Sequence, residues 1–189
     1  VKDATENNAM DLKNIKFDQF TAQELYLVLR ARSAVFVVEQ SHIHLDLDGK
    51  DQRAVHVFAI ERTETSQEVA AYARLFEDDG EERSVVIDKV FTSPARRGDG
   101  TGTLLLRFIQ ALLSERWPGR RVHVSAPLAL RAFYENFGFR KFEGPYLDHG
   151  TAYIGMTWRV RQAGAGAREA VPVPRRPRWA GRNDSLDAH

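Results

Sequence analysis

The run Pro94-Ala95-Arg96-Arg97-Gly98-Asp99-Gly100-Thr101-Gly102-Thr103 lies between a β-branched apolar stretch, Ser84 to Thr92, and a long amphipathic one. That placement predicts a central strand, a glycine-rich turn and a helix from about Gly100 to Arg116. A helix N-terminus presents unpaired amide donors and a partial positive charge, so it is prepared to hold an anion. Glycines adopt positive φ without steric cost and let the backbone approach a bulky group. Arg96 and Arg97 add cationic donors nearby, which makes a diphosphate the natural guest. Charge-assisted hydrogen bonds of about 1.5–3 kcal/mol each outweigh a helix-end effect of about 0.3–1 kcal/mol, so backbone geometry should dominate.

Glycine spacing alone leaves rivals. A nucleotide P-loop ends in Gly-Lys-Ser/Thr, and Gly102-Thr103-Leu104 lacks the lysine. A dinucleotide site wants an acidic residue about twenty positions on, where this chain has Arg120 and Arg121. An empty tight turn is the remaining alternative, and two adjacent arginines argue against it.

The flanking chain reads as a mixed α/β sheet covered by helices. Ile15 to Phe20 alternates as a first strand. Thr21 and Glu24 have capping-box spacing and open a helix expected to run to about Glu39. Val55–Ile60 and Val69–Phe76, separated by a polar turn, predict a hairpin, followed by the central strand. Val122–Val124 predicts a short strand, and Leu128 to Phe137 a helix that Gly138 ends. Phe139–Phe142 and Tyr153–Val160 supply the last strands.

The chain has 189 residues and no cysteine. The missing thiol excludes a disulfide framework, a thiolate metal site and a cysteine acyl-enzyme. No apolar run is long enough to span a bilayer, and no signal peptide is legible, so a cytoplasmic location is expected. From Arg161 onward six arginines face three carboxylates, a balance of +3 that leaves the rest of the chain at −2. The division expected is a disordered or cloning-derived start (1–10), a folded domain (11–161) and a flexible basic tail (162–189).

The stretch Val90 to Leu105 resembles the acetyl-coenzyme A (acetyl-CoA) motif of the GNAT superfamily, Arg/Gln-x-x-Gly-x-Gly/Ala after the fourth strand. Ala132-Phe133-Tyr134-Glu135-Asn136-Phe137-Gly138-Phe139 is similar to the segment those enzymes place beside the thioester. Val35-Phe36-Val37-Val38-Glu39-Gln40, Asp46-Leu47-Asp48-Gly49-Lys50-Asp51, Ala71-Tyr72-Ala73-Arg74-Leu75 and Ile154-Gly155-Met156 resemble the ElaA-like branch. The resemblance covers about residues 15 to 160. It implies a GNAT-type mixed sheet of about six to seven strands and an N-acetyltransferase that uses acetyl-CoA as cosubstrate.

Roles follow by resemblance. Backbone groups of Val90, Phe91 and Thr92 would pair with the pantetheine arm and polarise the acetyl carbonyl. Arg97, Gly98, Asp99, Gly100, Thr101, Gly102 and Thr103 would hold the pyrophosphate. Tyr134 would protonate the departing thiolate or hydrogen-bond to its sulfur; the alternative is an aromatic core residue on an amphipathic helix, and the matching Phe-Tyr-x-x-Phe-Gly-Phe context favours the functional role. Glu39 follows the first helix and is the candidate for the acceptor side, against a reading as an exposed helix-end carboxylate. Val122 stands where some relatives carry a glutamate, which closes that route to a base. Pro127-Leu128-Ala129 replaces an expected Gln-Ala-His, and Tyr153 an expected histidine, so the chain departs from the family at the presumed acceptor pocket.

Other polar clusters carry less. His42, His44, Asp46 and Asp48 alternate and could face one way, but a solvated acidic loop is expected there and no metal site. His56 and His123 read as structural, His149 as exposed, and Arg74 as reaching either a buried carboxylate or the acceptor, with the structural role favoured. The leading expectation is acetyl transfer to a primary amine on a small molecule or peptide, with no membrane partner, nucleic acid disfavoured and a homodimer as an option. The alternative is a non-catalytic coenzyme A-binding or nucleic-acid-interacting module that uses its arginine-rich tail.

Overall fold

The computed structural model describes residues 10–41, 44–62, 66–80 and 83–161. The start before Met10 and the tail 162–189 lie outside the described residues, as does His42. Seven strands form one mixed sheet: β1 (Met10–Lys16), β2 (Val55–Arg62), β3 (Gln67–Glu77), β4 (Val85–Thr92), β5 (Arg121–Pro127), β6 (Arg140–Asp148) and β7 (Thr151–Arg159). Their order is β1-β2-β3-β4-β5-β7-β6. All neighbours are antiparallel except β4 and β5.

Three helices cover the sheet: α1 (Ala22–Arg32), α2 (Thr101–Arg116) and α3 (Arg131–Asn136). Side chains that alternate along β2, β3 and β4 build two cores, one on each face. Val57, Ala59, Ala71, Ala73 and Leu75 pack with Leu105, Leu106 and Ile109 of α2. Phe58, Ile60, Tyr72 and Phe91 pack with Leu27 and Val28 of α1. The small residues of β3 let α2 lie close to the middle of the sheet. Thr21 caps α1 as its spacing predicts: its Oγ1 accepts from the Glu24 amide at 3.2 Å and the Glu24 carboxylate accepts from the Thr21 amide at 3.1 Å.

Several boundaries differ from the sequence reading. The first strand begins at Met10, and Phe17–Gln19 form a 3-10 turn instead of extending it. The expected single helix to Glu39 is an α-helix to Arg32 followed by a π-helical segment, Ser33–Glu39. That segment holds Val35, Val37 and Val38, whose branched side chains fit an α-helix less well. The Gln40 amide reaches back five residues, to the Val35 carbonyl at 3.1 Å. The strand expected over Val122–Val124 runs to Pro127, and β6 runs to Asp148 because it pairs with β7 across the whole hairpin. The helix expected over 128–137 is a 3-10 turn (Leu128–Leu130) plus the short α3.

One feature of the sheet positions everything that follows. β5 pairs with β4 only from Val85↔Val122 to Ile87↔Val124. Beyond those rungs the two parallel strands separate, and Asp88 to Thr92 turn one edge toward a cavity between them. Lys89, at φ 51°, lies where the β3–β4 register shifts between Tyr72 and Arg74. Such a bulge bends its strand and sharpens the local twist.

Candidate active site

The cavity has a volume of about 1110 Å³ and is lined from both sides of the divided sheet. It lies at the upper end of ligand sites, which run to roughly 1,000 Å³, so it has room for two substrates. Val90, Phe91 and Thr92 form one wall, and Arg97, Gly98, Gly100, Gly102 and Thr103 form the next. Tyr134 and Glu39 also line it. Of the sequence-predicted site residues, Asp99 and Thr101 are not on this lining; they shape the turn. Thr101 is buried, and Asp99 Oδ1 accepts from its amide at 2.9 Å.

The turn has the conformation its glycines predict. Gly98 and Gly100 have φ of 81° and 95°, and Gly100 is the N-cap of α2 in the left-handed region. The first intrahelical bond runs from the Leu104 amide to the Gly100 carbonyl at 3.0 Å. Gly102 meets a different need, because a Cβ there would stand 3.1 Å from Thr92 Oγ1. The absent side chain lets the start of α2 close on the end of β4. First-turn amides and the free edge of β4 therefore face the same space.

The two arginines divide their work. Arg96 turns back to β2, where it pairs with the Glu61 carboxylate through Nε and Nη2. Arg97 donates from Nη1 to Glu39 Oε1 at 2.6 Å, from Nη2 to Oε2 at 2.8 Å and from Nε to the Thr92 carbonyl at 3.2 Å. Hydrogen bonding to Arg97 holds the Glu39 carboxyl below its usual range. Arg96 keeps a contact with the turn as well, its Nη1 3.5 Å from Asp99 Oδ2, and it too lines the cavity.

Tyr134 projects from α3, which Gln110 of α2 anchors by donating from Nε2 to the Phe137 carbonyl at 2.8 Å. Gly138, at φ 82°, ends the helix as predicted, with the Phe139 amide reaching the Tyr134 carbonyl at 3.2 Å. The ring is 2% exposed and packs edge-on against Phe133 and Phe139. Burial pushes its phenol well above the usual range, with the neighbouring Tyr153 adding to the shift. The two readings of Tyr134 therefore coexist: the residue is a core aromatic and also borders the cavity.

The opposite end of the cavity is lined by Ser125, Tyr146, Asp148, His149 and Tyr153. Tyr146 and Tyr153 stack across the β6–β7 hairpin with centroids 6.4 Å apart, and the Tyr146 hydroxyl shares a hydrogen bond with Ser125. His149 Nδ1 lies 2.7 Å from Asp148 Oδ1. Pro127 and Tyr153, two of the positions that depart from the ElaA-like pattern, are both in this wall.

The acidic loop was expected to be solvated, and the structure corrects that for Asp46 and Asp51, while Asp48 and the residues beside it stay exposed. Asp46 and Asp51 are buried. Arg32 Nε donates to Asp46 Oδ2 at 2.9 Å and Nη1 donates to Asp51. Arg74, fully buried, donates two bonds to Asp48 (2.6 and 2.7 Å) and two to Asp88 (2.8 and 2.7 Å), and reaches Asp51 at 3.0 Å. Lys89 pairs with Asp46 at 2.7 Å. Buried guanidinium groups need such complete partnering, which pulls the loop onto the sheet. Asp48, Asp88 and Lys89 extend the lattice to the cavity wall. This lattice was missed by sequence reasoning except for Arg74, whose position among apolar strand residues was the available signal. Among the described residues no cluster of three or more histidine, aspartate or glutamate side chains could hold a metal.

His56 is structural as expected. Its Nε2 lies 2.9 Å from the Asp51 carbonyl, which can only accept, so Nε2 carries the proton. Nδ1 then accepts from the Tyr72 hydroxyl at 2.8 Å. No helix among the described residues is long and apolar enough to cross a membrane.

Comparison with known proteins agrees with this geometry. The family model for the acetyltransferase (GNAT) domain matches residues 34–160. A UPF0039 protein of Synechocystis is 38% identical over 146 residues, spanning 77% of this chain and 92% of its own. Protein ElaA of Escherichia coli is 32% identical over 82% of this chain and 99% of its own. The crystal structure of that ElaA superposes with a TM-score of 0.72, covering 79% of this chain and 99% of its own. A Pseudomonas aeruginosa acyl-CoA N-acyltransferase superposes at 0.71 with 32% identity, again over 79% of this chain and 99% of its own.

Proposed function

Because the chain belongs to the GNAT acetyltransferase family and is an acyltransferase, we propose that it moves an acetyl group from acetyl-CoA to a primary amine on a small molecule or peptide. Transfer is direct, within a ternary complex; without cysteine the chain has no thiol to carry the acetyl group. The observation that carries the reading is the single cavity that joins the glycine turn, the free edge of β4 and Tyr134.

The residues fit the donor. First-turn amides of α2 and the Arg97 guanidinium suit a diphosphate. The Val90–Thr92 edge suits an extended amide-bearing arm, since a strand edge pairs with any extended backbone-like group. A donor amide aimed at the thioester oxygen would stabilise the charge that develops there. The amine attacks the carbonyl carbon with its lone pair, a C–N bond forms and the C–S bond breaks. The nitrogen loses one proton and the leaving sulfur gains one. Tyr134 is the group for the sulfur. The phenol is protonated at neutral pH and burial makes it a weaker acid still, so its role is a hydrogen bond donated to the developing thiolate, which takes its proton from solvent.

On the acceptor side four cations, Arg32, Lys50, Arg74 and Lys89, pair with four carboxylates, Asp46, Asp48, Asp51 and Asp88, so that wall is close to neutral. Asp48 and Asp88 still line the cavity as carboxylates available to an amine.

Release of free coenzyme A thiol, measured across a panel of primary amines, tests the reading. Turnover above hydrolysis is expected for at least one amine class, with acetyl-CoA raising the melting temperature. Tyr134→Phe should lower turnover by about 10²-fold or more, the scale for losing one hydrogen-bond donor to a developing charge, while coenzyme A still binds. Unchanged turnover in that variant removes Tyr134 from the mechanism, and absence of any acetyl-CoA binding removes the reading itself.

A further inference from the structure

Glu39 and Arg97 lie 58 positions apart, yet the free chain holds them in a two-pronged pair inside the cavity. The third donor edge of the same guanidinium is on the Thr92 carbonyl. Three of the five N–H donors of Arg97 are thus held by groups that themselves line the cavity. A guanidinium fork fits two oxygens of a phosphate by the same geometry that fits a carboxylate. The Glu39 carboxylate therefore stands where two oxygens of a donor diphosphate would stand.

The pair is also the most exposed of the contacts that the cavity-lining arginines make with carboxylates. Arg74, holding Asp48 and Asp88, has no exposed side-chain surface, whereas Arg97 and Glu39 are 47% and 37% exposed. Exposed pairs are worth little in water. A diphosphate adds to Arg97 the first-turn amides of α2, which Glu39 does not use.

We propose that Glu39 is an internal competitor for Arg97, displaced when the donor's diphosphate binds, so that its carboxylate becomes available to the acceptor amine only in the donor-bound enzyme. The inference rests on the acetyl-CoA reading of the glycine turn. Exchange frees the Thr92 carbonyl together with Glu39, so the β4 edge opens to the pantetheine arm in the same event. It also sets an order of binding, donor first, because the ammonium of an incoming acceptor meets a Glu39 already paired until then. Glu39 stays ionised before and after, since Arg97 holds its carboxyl low and release returns it to an ordinary carboxylate.

Calorimetric titration of the full chain with coenzyme A and with pantetheine, which lacks the diphosphate, reads the exchange. Glu39→Gln should bind coenzyme A about two- to fivefold more tightly, the range that an exposed ion pair sets. Its affinity for pantetheine should stay at that of the native chain. Arg97→Ala should weaken coenzyme A about tenfold or more, and adding Glu39→Gln to it should then change nothing. Tightening that persists in the Arg97→Ala background would mean simple repulsion between Glu39 and phosphate, and overturns the exchange. Unchanged or weaker binding by Glu39→Gln overturns it as well. If the native chain binds no coenzyme A, the acetyl-CoA reading fails, which is distinct from native binding with an inert Glu39.

Discussion

Two arginine sites border the same cavity, Arg97 directly and Arg74 through its partners Asp48 and Asp88, and they are built in opposite ways. Arg74 lies on β3 with no exposed surface and five hydrogen bonds to three aspartates. Arg97 stands in the glycine turn, half exposed, with one carboxylate and one carbonyl. Burial makes the first set fixed, because no arrangement of a desolvated guanidinium is tolerable unless every donor is satisfied. Exposure leaves the second free to trade partners at little cost. The molecule thus uses one kind of contact, guanidinium on carboxylate, as a frame on the acceptor side and as a replaceable contact on the donor side.

The strongest way to break this contrast is Arg74→Ala. Removing one partner of a buried lattice takes the guanidinium from Asp88 and weakens the hold on Asp48 and Asp51, which keep Lys50 and Arg32, and such losses run to about 3–5 kcal/mol. Denaturant unfolding should show the midpoint falling accordingly, with the loop around Asp48 the first segment to gain amide exchange. A loss below about 1 kcal/mol, the scale of surface pairs, would mean that water reaches the lattice and that the frame is not a frame.

Acid sharpens the same contrast through His56, whose ring accepts from Tyr72 and donates to the Asp51 carbonyl beneath the lattice. Burial lowers its pKa from 6.5, and Arg32 and Arg74 push the same way, against Asp51. The unfolded chain therefore takes up a proton that the folded chain refuses. His56 stabilises fully above about pH 6.5, and this contribution is lost as pH falls from there toward the folded value. The slope is at most about 1.4 kcal/mol per pH unit for one proton. The carboxyls of Asp46 and Asp48 are both held below 3.8 by Arg32, Lys89 and Arg74 in spite of burial, so their contribution fails only in stronger acid. Stability measured from pH 7 to 5 should slope in the native chain and flatten in His56→Gln. An equal slope in both would place the responsible proton elsewhere.

These contacts also explain what was legible in the sequence. The glycine turn could be read because its meaning is local: positive φ at Gly98 and Gly100 and a helix start all fall within a few residues. Gly138 could be read for the same reason, as the C-terminal turn of a short helix. Arg32 meets Asp46 across 14 positions, Arg74 meets Asp48 across 26, and Glu39 meets Arg97 across 58. No period or spacing records such pairs, so Asp46 and Asp51 looked like solvated loop residues until the sheet brought Arg32 and Arg74 beneath them. The π-helical segment was hidden likewise, since hydrophobic spacing over Val35–Val38 suits a helix without fixing how wide its turn is.

The smallest stability effect belongs to Arg97→Ala, and it completes the comparison. The side chain is half exposed and its carboxylate partner can turn to water when released, so the expected loss is under about 1 kcal/mol. Denaturation midpoints of Arg97→Ala and the native chain should nearly coincide, while coenzyme A affinity falls. A thermal-shift series with and without coenzyme A separates the two effects, because only the ligand-dependent part of the shift should shrink. Should Arg97→Ala instead unfold as readily as Arg74→Ala, the pair with Glu39 would be a structural tie between the π-helical segment and the glycine turn. Both sides of the cavity would then be frames, and the donor would have to bind without displacing either.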